Sequence, residues 1–215
     1  EIVPARDLSK SDWTVRLSDL WYGDTDGDWP NPERVVGRII GDEAIALAKS
    51  IETSINVHKG EPGYEFERDR ALVLAGGGDG TSMYEWNAFQ VAQVLDDQFS
   101  HIELGFQEDL EDAGWNITDW FRMNVVDQDV IYYRDHSSQT SWGNGSTVVY
   151  TGDFGGTDPV DFGNAKPFVF GCSCLSGNYD GGSIAEAFLD GGAAVYIGAT
   201  EVSDRWWNNK ACTRL

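Results

Sequence analysis

Basic residues are scarce. Fifteen Lys and Arg stand against thirty-six Asp and Glu in 215 residues, a net charge of −21 with histidine neutral. So acidic a chain repels phosphate, which argues against nucleic acid as a partner. It favours cationic substrates, bound Ca²⁺, or a salty or extracellular setting, although solubility alone also accounts for such a charge. Long apolar runs are missing as well. No stretch of eighteen apolar residues exists, so no helix of that kind crosses a membrane. Cysteine is sparse and odd in number: Cys172, Cys174 and Cys212. At least one thiol is therefore free or pairs outside the chain. Cys172-Ser173-Cys174 is C-x-C, not C-x-x-C, and with three histidines in the chain a structural zinc site is not indicated. The chain opens "EIVPARDL" without Met or a signal peptide and stops at "NNKACTRL". It reads as a processed or excised piece of something longer.

What is present is rich in aromatics, nine of them Trp, in a length that suits one α/β domain with a sizeable core. The first forty residues are loop-rich, and "YGDTDGDWPNPE" must be irregular. "GDEAIALAKSIETSI" carries Ala44, Leu47, Ala48, Ile51 and Ile55 at helical spacing, with Asp42 as the expected N-cap. A charged connector, "HKGEPGYEFERDR" from His58, is the expected boundary between residues 1–57 and 58–215. Strand and helix patterns then alternate. "ALVLAGGG", "HIELGF", "DVIYYR", "STVVYTG", "PFVFGCS" and "AAVYIGA" read as strands. "SMYEWNAFQVAQVL", "QEDLEDAGWNITDWF" (interrupted at Gly114) and "GSIAEAFLDGG" read as helices. This alternation predicts a mainly parallel sheet covered on both faces, a three-layer αβα sandwich. Asn116-Ile117-Thr118 and Asn144-Gly145-Ser146 fit the N-glycosylation sequon and agree weakly with an extracellular setting.

In sheets of this class, sites form at the carboxyl ends of strands. "DVIYYR" runs into Asp135-His136-Ser137, and "PFVFGCS" runs into Cys174-Leu175-Ser176-Gly177. A thiol is a weak nucleophile until it loses its proton, and an imidazole can take that proton and return it to a leaving amine. If the two strands are neighbours, His136 and Cys174 meet above the sheet edge. The plainer reading is a small core cysteine and a hydrogen-bonded loop histidine. "AGGGDGTS" from Ala75 lacks the Gly-Lys-Ser/Thr end of a phosphate loop and reads as a glycine-rich turn.

"YYRDHSSQTSWG", followed by "PFVFGCSCLSGNYD" and "SIAEAFLDGGAAVYIGATEVS", resembles the gingipain family of cysteine peptidases. That family carries a Gly-His-Gly-like turn with Trp-Gly soon after, a Pro-Phe strand, Cys-x-x-Gly, and a helix with Ala-Glu-Ala-Phe. "SDLWYGDTDGDWPNPERVVGRI" is similar to its Ser-Asp…Asp-Gly-Asp…Pro-Glu…Val-Gly-Arg stretch. The resemblance implies a caspase-like fold and a cysteine endopeptidase acting on peptide or protein substrates without an organic cofactor. It implies Cys174 as nucleophile, His136 as the catalytic imidazole and Glu33 as the acid that orients it. The N–H groups of Ser137 and Cys174 would hold the oxyanion. Cleavage after basic residues is implied, with Asp42, Glu43 or Asp204 as the pocket acid and Trp206 and Trp207 as its wall. Structural calcium is implied too, and Asp24, Asp26 and Asp28 are its candidate ligands, although their loop is not an EF-hand.

Cys172, two positions before the nucleophile, is expected to be a core thiol. The turn departs from the family pattern, with Asp135 and Ser137 where glycines stand. The first change sets a carboxylate beside the imidazole; the second demands a backbone that tolerates a side chain. The alternative is thus an inactive gingipain-like domain serving as an extracellular surface or binding module. A second turn, "YTGDFGG", has Asp153 where the histidine belongs, and His136 is preferred because Trp142-Gly143 follows it. The closing helices of the fold are not seen, and a remaining C-terminal piece of the same precursor is the expected partner. The expected location is extracellular or at the cell surface.

Overall fold

A computed structural model describes residues 6–7, 17–18, 25, 38–40, 43–77, 83–144, 146–179, 181–203, 205 and 208–209. The chain divides into two compact units, Glu1–Ile40 and Gly41–Leu215. In the first, Arg6–Asp7 (β1) pairs antiparallel with Leu17–Ser18 (β2).

The second unit starts with a helix, Ala44–Lys59 (α1). Its cap position is Glu43, which makes no side-chain capping bond, and not the expected Asp42. The buried residues of α1 are Ser50 and Thr53, whereas Ile45, Ile51 and Ile55 are exposed. Periodicity found this helix but not its inner face. The Ser54 hydroxyl donates to the Ala194 carbonyl at 2.9 Å, so small polar residues make the contact.

Five parallel strands form the sheet: Arg70–Ala75 (β3), His101–Phe106 (β4), Val130–Arg134 (β5), Phe168–Cys172 (β8) and Val195–Gly198 (β9), in the order β4-β3-β5-β8-β9. Met83–Asp96 (α2) links β3 to β4. Gln107–Asp112 (α3) and Ile117–Asn124 (α4) link β4 to β5, and Ile184–Gly191 (α5) links β8 to β9. The expected interruption at Gly114 is real. Gly114 takes a positive φ, and Asn116 restarts the helix as N-cap, accepting from the N–H groups of Thr118 and Asp119. Between β5 and β8 the chain makes an antiparallel hairpin, Ser141–Asn144 (β6) with Ser146–Tyr150 (β7), apart from the main sheet.

Alternation along the strands sorts the core into two layers. Leu72, Leu74, Ile131, Tyr133 and Val169 face Phe121 of α4, Val149 of β7 and Phe188 of α5. Val73, Ala75 and Tyr132 face Ala88, Val91 and Ala92 of α2. The chain winds from β3 out to β4, then back across to β5 and onward. The direction of winding therefore reverses between β3 and β5, and a doubly wound sheet opens its crevice at the carboxyl ends there.

Candidate active site

The register of β5 against β8 answers the question the sequence left open. The two strands are parallel neighbours, with Arg134 opposite Cys172. His136 and Cys174 each lie two residues beyond that pair, at the carboxyl edge beside the winding reversal. The Ser137 hydroxyl ties the two turns together by donating to the Cys174 carbonyl.

A small hairpin holds His136. Gly143 N–H donates to the His136 carbonyl at 3.1 Å, and Ser138 N–H donates to the Ser141 carbonyl at 2.9 Å. These bonds flank the antiparallel pair Ser137–Trp142. In a pair flanked this way the residue's own N–H turns away from the partner strand. Ser137 N–H is thus not consumed by the hairpin. Neither Asp135 nor Ser137 adopts a positive φ; among the described non-glycine residues only Arg68, Asp127 and Leu175 do. Both departures from glycine are accommodated in ordinary backbone. The Asp135 carboxylate is buried over Gly76, whose hypothetical Cβ would lie 1.8 Å from it, so a side chain at position 76 would collide.

The imidazole meets α2. Tyr84 Oη lies 3.4 Å from His136 Nε2, and the two rings meet edge to face at 5.7 Å. Cys174 meets the segment that follows β9. Its Sγ donates to the Ser203 carbonyl at 3.5 Å, and the Ser203 hydroxyl donates to Sγ at 3.8 Å. Asn208 Nδ2 donates to that hydroxyl at 2.8 Å. Ser203 thus offers an acceptor to the neutral thiol and a donor to a thiolate. Leu175, next along, has φ 55° and donates its N–H to the Glu201 carbonyl at 3.0 Å. Backbone in the left-handed region costs a bulky residue energy and recurs at functional turns. At Gly177 a Cβ would fall 2.3 Å from the Gly198 carbonyl oxygen, which explains the glycine of Cys-x-x-Gly.

Cys174 is a free thiol, while Cys172 is disulfide-bonded to a partner outside the described residues. Cys172 packs against the core as expected, but its sulfur is bonded and not a thiol, so two cysteines separated by Ser173 divide into a bonded and a free sulfur. The second turn, at Asp153, forms a 3-10 helix, Thr151–Phe154, in which the Asp153 carboxylate accepts from Tyr150 N–H at 2.9 Å and pairs with Arg122 at 3.3 Å. It is a capped and ion-paired structural element, which leaves His136 as the turn joined to Cys174.

Glu33, Asp42, Asp204, Trp206, Trp207, Asp24, Asp26 and Asp28 lie outside the described residues. Among the described residues no group of three His, Cys, Asp or Glu could hold a metal ion. Sequence reasoning missed Tyr84, Ser203 and Arg134. Arg134 carried a signal, a charge ending an otherwise apolar strand. Tyr84 carried one only through topology, since α2 begins beside β3 at the winding reversal.

Electrostatics at this edge are shaped by burial. Arg134 is 1% exposed, and burial lowers its pKa, opposed by Tyr132, Tyr84, Asp135 and Cys174. Glu85, after Tyr84 on α2, is raised by burial and by Glu108 and Asp109.

The family model described as Peptidase family C25 matches residues 1–211. No curated protein and no solved structure matches the chain.

Proposed function

The chain belongs to peptidase family C25, a family of cysteine peptidases acting on peptides and proteins, and on that premise we propose that it is an active endopeptidase working through Cys174 and His136. The observation that carries this reading is the register of β5 on β8, with the Ser137 bond between the two turns. In the proposed reaction His136 takes the Cys174 proton, the thiolate attacks the peptide carbonyl, and His136 returns the proton to the leaving amine. Water then attacks the acyl-enzyme carbonyl and releases the thiol. The N–H groups of Ser137 and Cys174 stabilise the oxyanion, as preorganised donors do where charge develops. Glu33 remains the proposed acid partner of the imidazole, from the family resemblance alone.

A basic side chain before the scissile bond fits the charge of the site. Glu85, Glu108 and Asp109 interact at the carboxyl end of the sheet, and Glu108 lies against Gly77 beside the winding reversal. A net charge of −21 draws cations to that edge. Asp42, Asp204, Trp206 and Trp207 stay proposed as the pocket. The same reading includes an extracellular or cell-surface setting, with calcium at Asp24, Asp26 and Asp28.

The proposed partner is a further piece of the same precursor. A parallel sheet is normally covered on both faces. Toward β8, however, the α2 face opens into a hollow of about 860 Å³ lined by Phe66, Val94, Phe168 and Phe170, and Ile197 of β9 is half exposed. Co-expression with the downstream segment is expected to raise the melting temperature, and no change would remove this part of the reading.

The test of function is cleavage of peptides with Arg, Lys or neutral residues before the reporter. Turnover is expected after the basic residues only, reduced by a calcium chelator. It is expected to vanish in Cys174→Ala and to fall about 10²- to 10⁴-fold in His136→Ala, the usual scale of general acid–base catalysis. Turnover unchanged in Cys174→Ala would refute the assignment. A folded wild-type protein without any turnover would favour the inactive binding module.

A further inference from the structure

Arg134 is a charge with no obvious reason to be buried. The guanidinium sits at the end of β5 among apolar strand residues, and long charged side chains are almost never fully buried unless paired. Each of its three nitrogens donates a hydrogen bond. Nε and Nη2 donate to Asn209 Oδ1 at 3.1 and 2.8 Å, Nη1 to the Cys172 carbonyl at 3.1 Å, and Nη2 to the Arg205 carbonyl at 3.4 Å. Among the described residues every one of these acceptors is neutral. The remaining face lies 4.2 Å over the Tyr84 ring, a cation–π contact. Holding a cation this way costs desolvation that neutral carbonyls offset only in part. A structural role alone would be met at lower cost by an apolar side chain of similar volume.

The position of the charge supplies the reason. Arg134 is registered with Cys172, two residues before Cys174 on one strand and two before His136 on the other. It grips the backbone carbonyl of the strand that delivers Cys174. Through the Tyr84 ring it also fixes the hydroxyl that meets His136 Nε2. Tyr84 thereby meets one edge of the imidazole, at Nε2.

We infer that Arg134 is a positioning residue of this site: a permanent buried cation that stabilises the Cys174 thiolate and, through Tyr84, orients His136. The inference rests on the peptidase reading above and adds to it the source of the positive field. Cys174 is among the groups that oppose the lowering of the Arg134 pKa by burial, in keeping with the geometry. A neighbouring Arg favours a thiolate over a thiol. The other charged groups near this edge are Asp135 just after β5, Glu85 in the first turn of α2, and Glu201 and Arg205 after β9. Asp135 opposes a thiolate, so Arg134 must outweigh it.

The experiment is the pH profile of alkylation of Cys174 by iodoacetamide, with folding checked by circular dichroism. Arg134→Met is expected to move the profile to higher pH and to slow alkylation at neutral pH about tenfold, the effect of a shift of one pH unit. Arg134→Lys keeps the charge and loses the planar fork, so its profile is expected to stay close to wild type. Should Arg134→Met fail to fold, Arg134→Gln retains an amide that can donate to Asn209 and the Cys172 carbonyl and makes the same comparison. A folded neutral variant with the wild-type profile would overturn the inference while leaving the dyad standing. So would Arg134→Lys shifting as far as the neutral variant. A wild-type profile like that of an ordinary thiol would overturn both the inference and the dyad.

Discussion

Trp142 follows the histidine by six positions and is completely buried. Its ring stacks on Tyr133 at 4.6 Å and 4°, packs on Phe188 at 4.5 Å, and donates Nε1–H to the Tyr196 hydroxyl at 2.9 Å. One side chain thereby fastens the hairpin that carries His136 to a strand, a helix and the sheet edge. Trp142→Ala is expected to destabilise the protein by about 3–5 kcal/mol, the cost of emptying a large aromatic site. Urea unfolding checks this, and a loss below about 1 kcal/mol would mean that the hairpin is held by other means. Tyr196 extends the contact, since its hydroxyl lies where a Cβ on Gly171 would fall, at 2.5 Å. At this scale the sequence was partly legible. His136, Cys174 and the Trp-Gly pair stood out as rare residue types at strand ends. Tyr84 and Ser203 did not, because tyrosine and serine are common and only the fold brings them to the site. The bonded state of Cys172 was not legible, because spacing alone does not show which cysteines pair.

Among the elements, the strands were the most legible, because β3 and β5 are buried on both faces and read as near-continuous apolar runs. The break before α4 was legible at Gly114, and α5 as a short helix closed by glycine, Gly192 with φ 111°; their caps, Asn116 and Ser183, were not read. The inner face of α1 was not legible, since Ser50 and Thr53 are buried in place of isoleucines. The β6–β7 hairpin was half seen. Ser146–Tyr150 read as a strand, but its partner Ser141–Asn144 holds only one large apolar residue. The first turn of α2 carries a testable electrostatic feature. Burial, then repulsion from Glu108 and Asp109, raises the Glu85 pKa. A carboxyl whose folded pKa lies above its unfolded value costs stability once pH exceeds that unfolded value. Glu85→Gln is therefore expected to raise the melting temperature at neutral pH. That gain should disappear as pH falls below the ordinary glutamate range, about pH 4. A gain of the same size at both pH values would point to packing instead of charge.

For the whole molecule, the doubly wound order places two strand ends and the first turn of α2 around one point. That arrangement sets Arg134, a buried cation, beside the strand ends where the proposed thiolate would form. Fold class, and the place of His136 and Cys174 just beyond strand ends, were readable because topology follows from the alternation of strand and helix patterns. The supporting residues were not, because they converge from α2, β5 and the segment after β9. The central claim is that His136 and Cys174 act as one unit. Its most direct measurement is the rate at which iodoacetamide alkylates Cys174 at about pH 6, more than two units below an ordinary thiol pKa, in wild type and in His136→Ala. The account predicts fast alkylation in the wild type and a fall of at least about tenfold in the variant, the loss of one imidazole partner. Equal rates in the two proteins would contradict it.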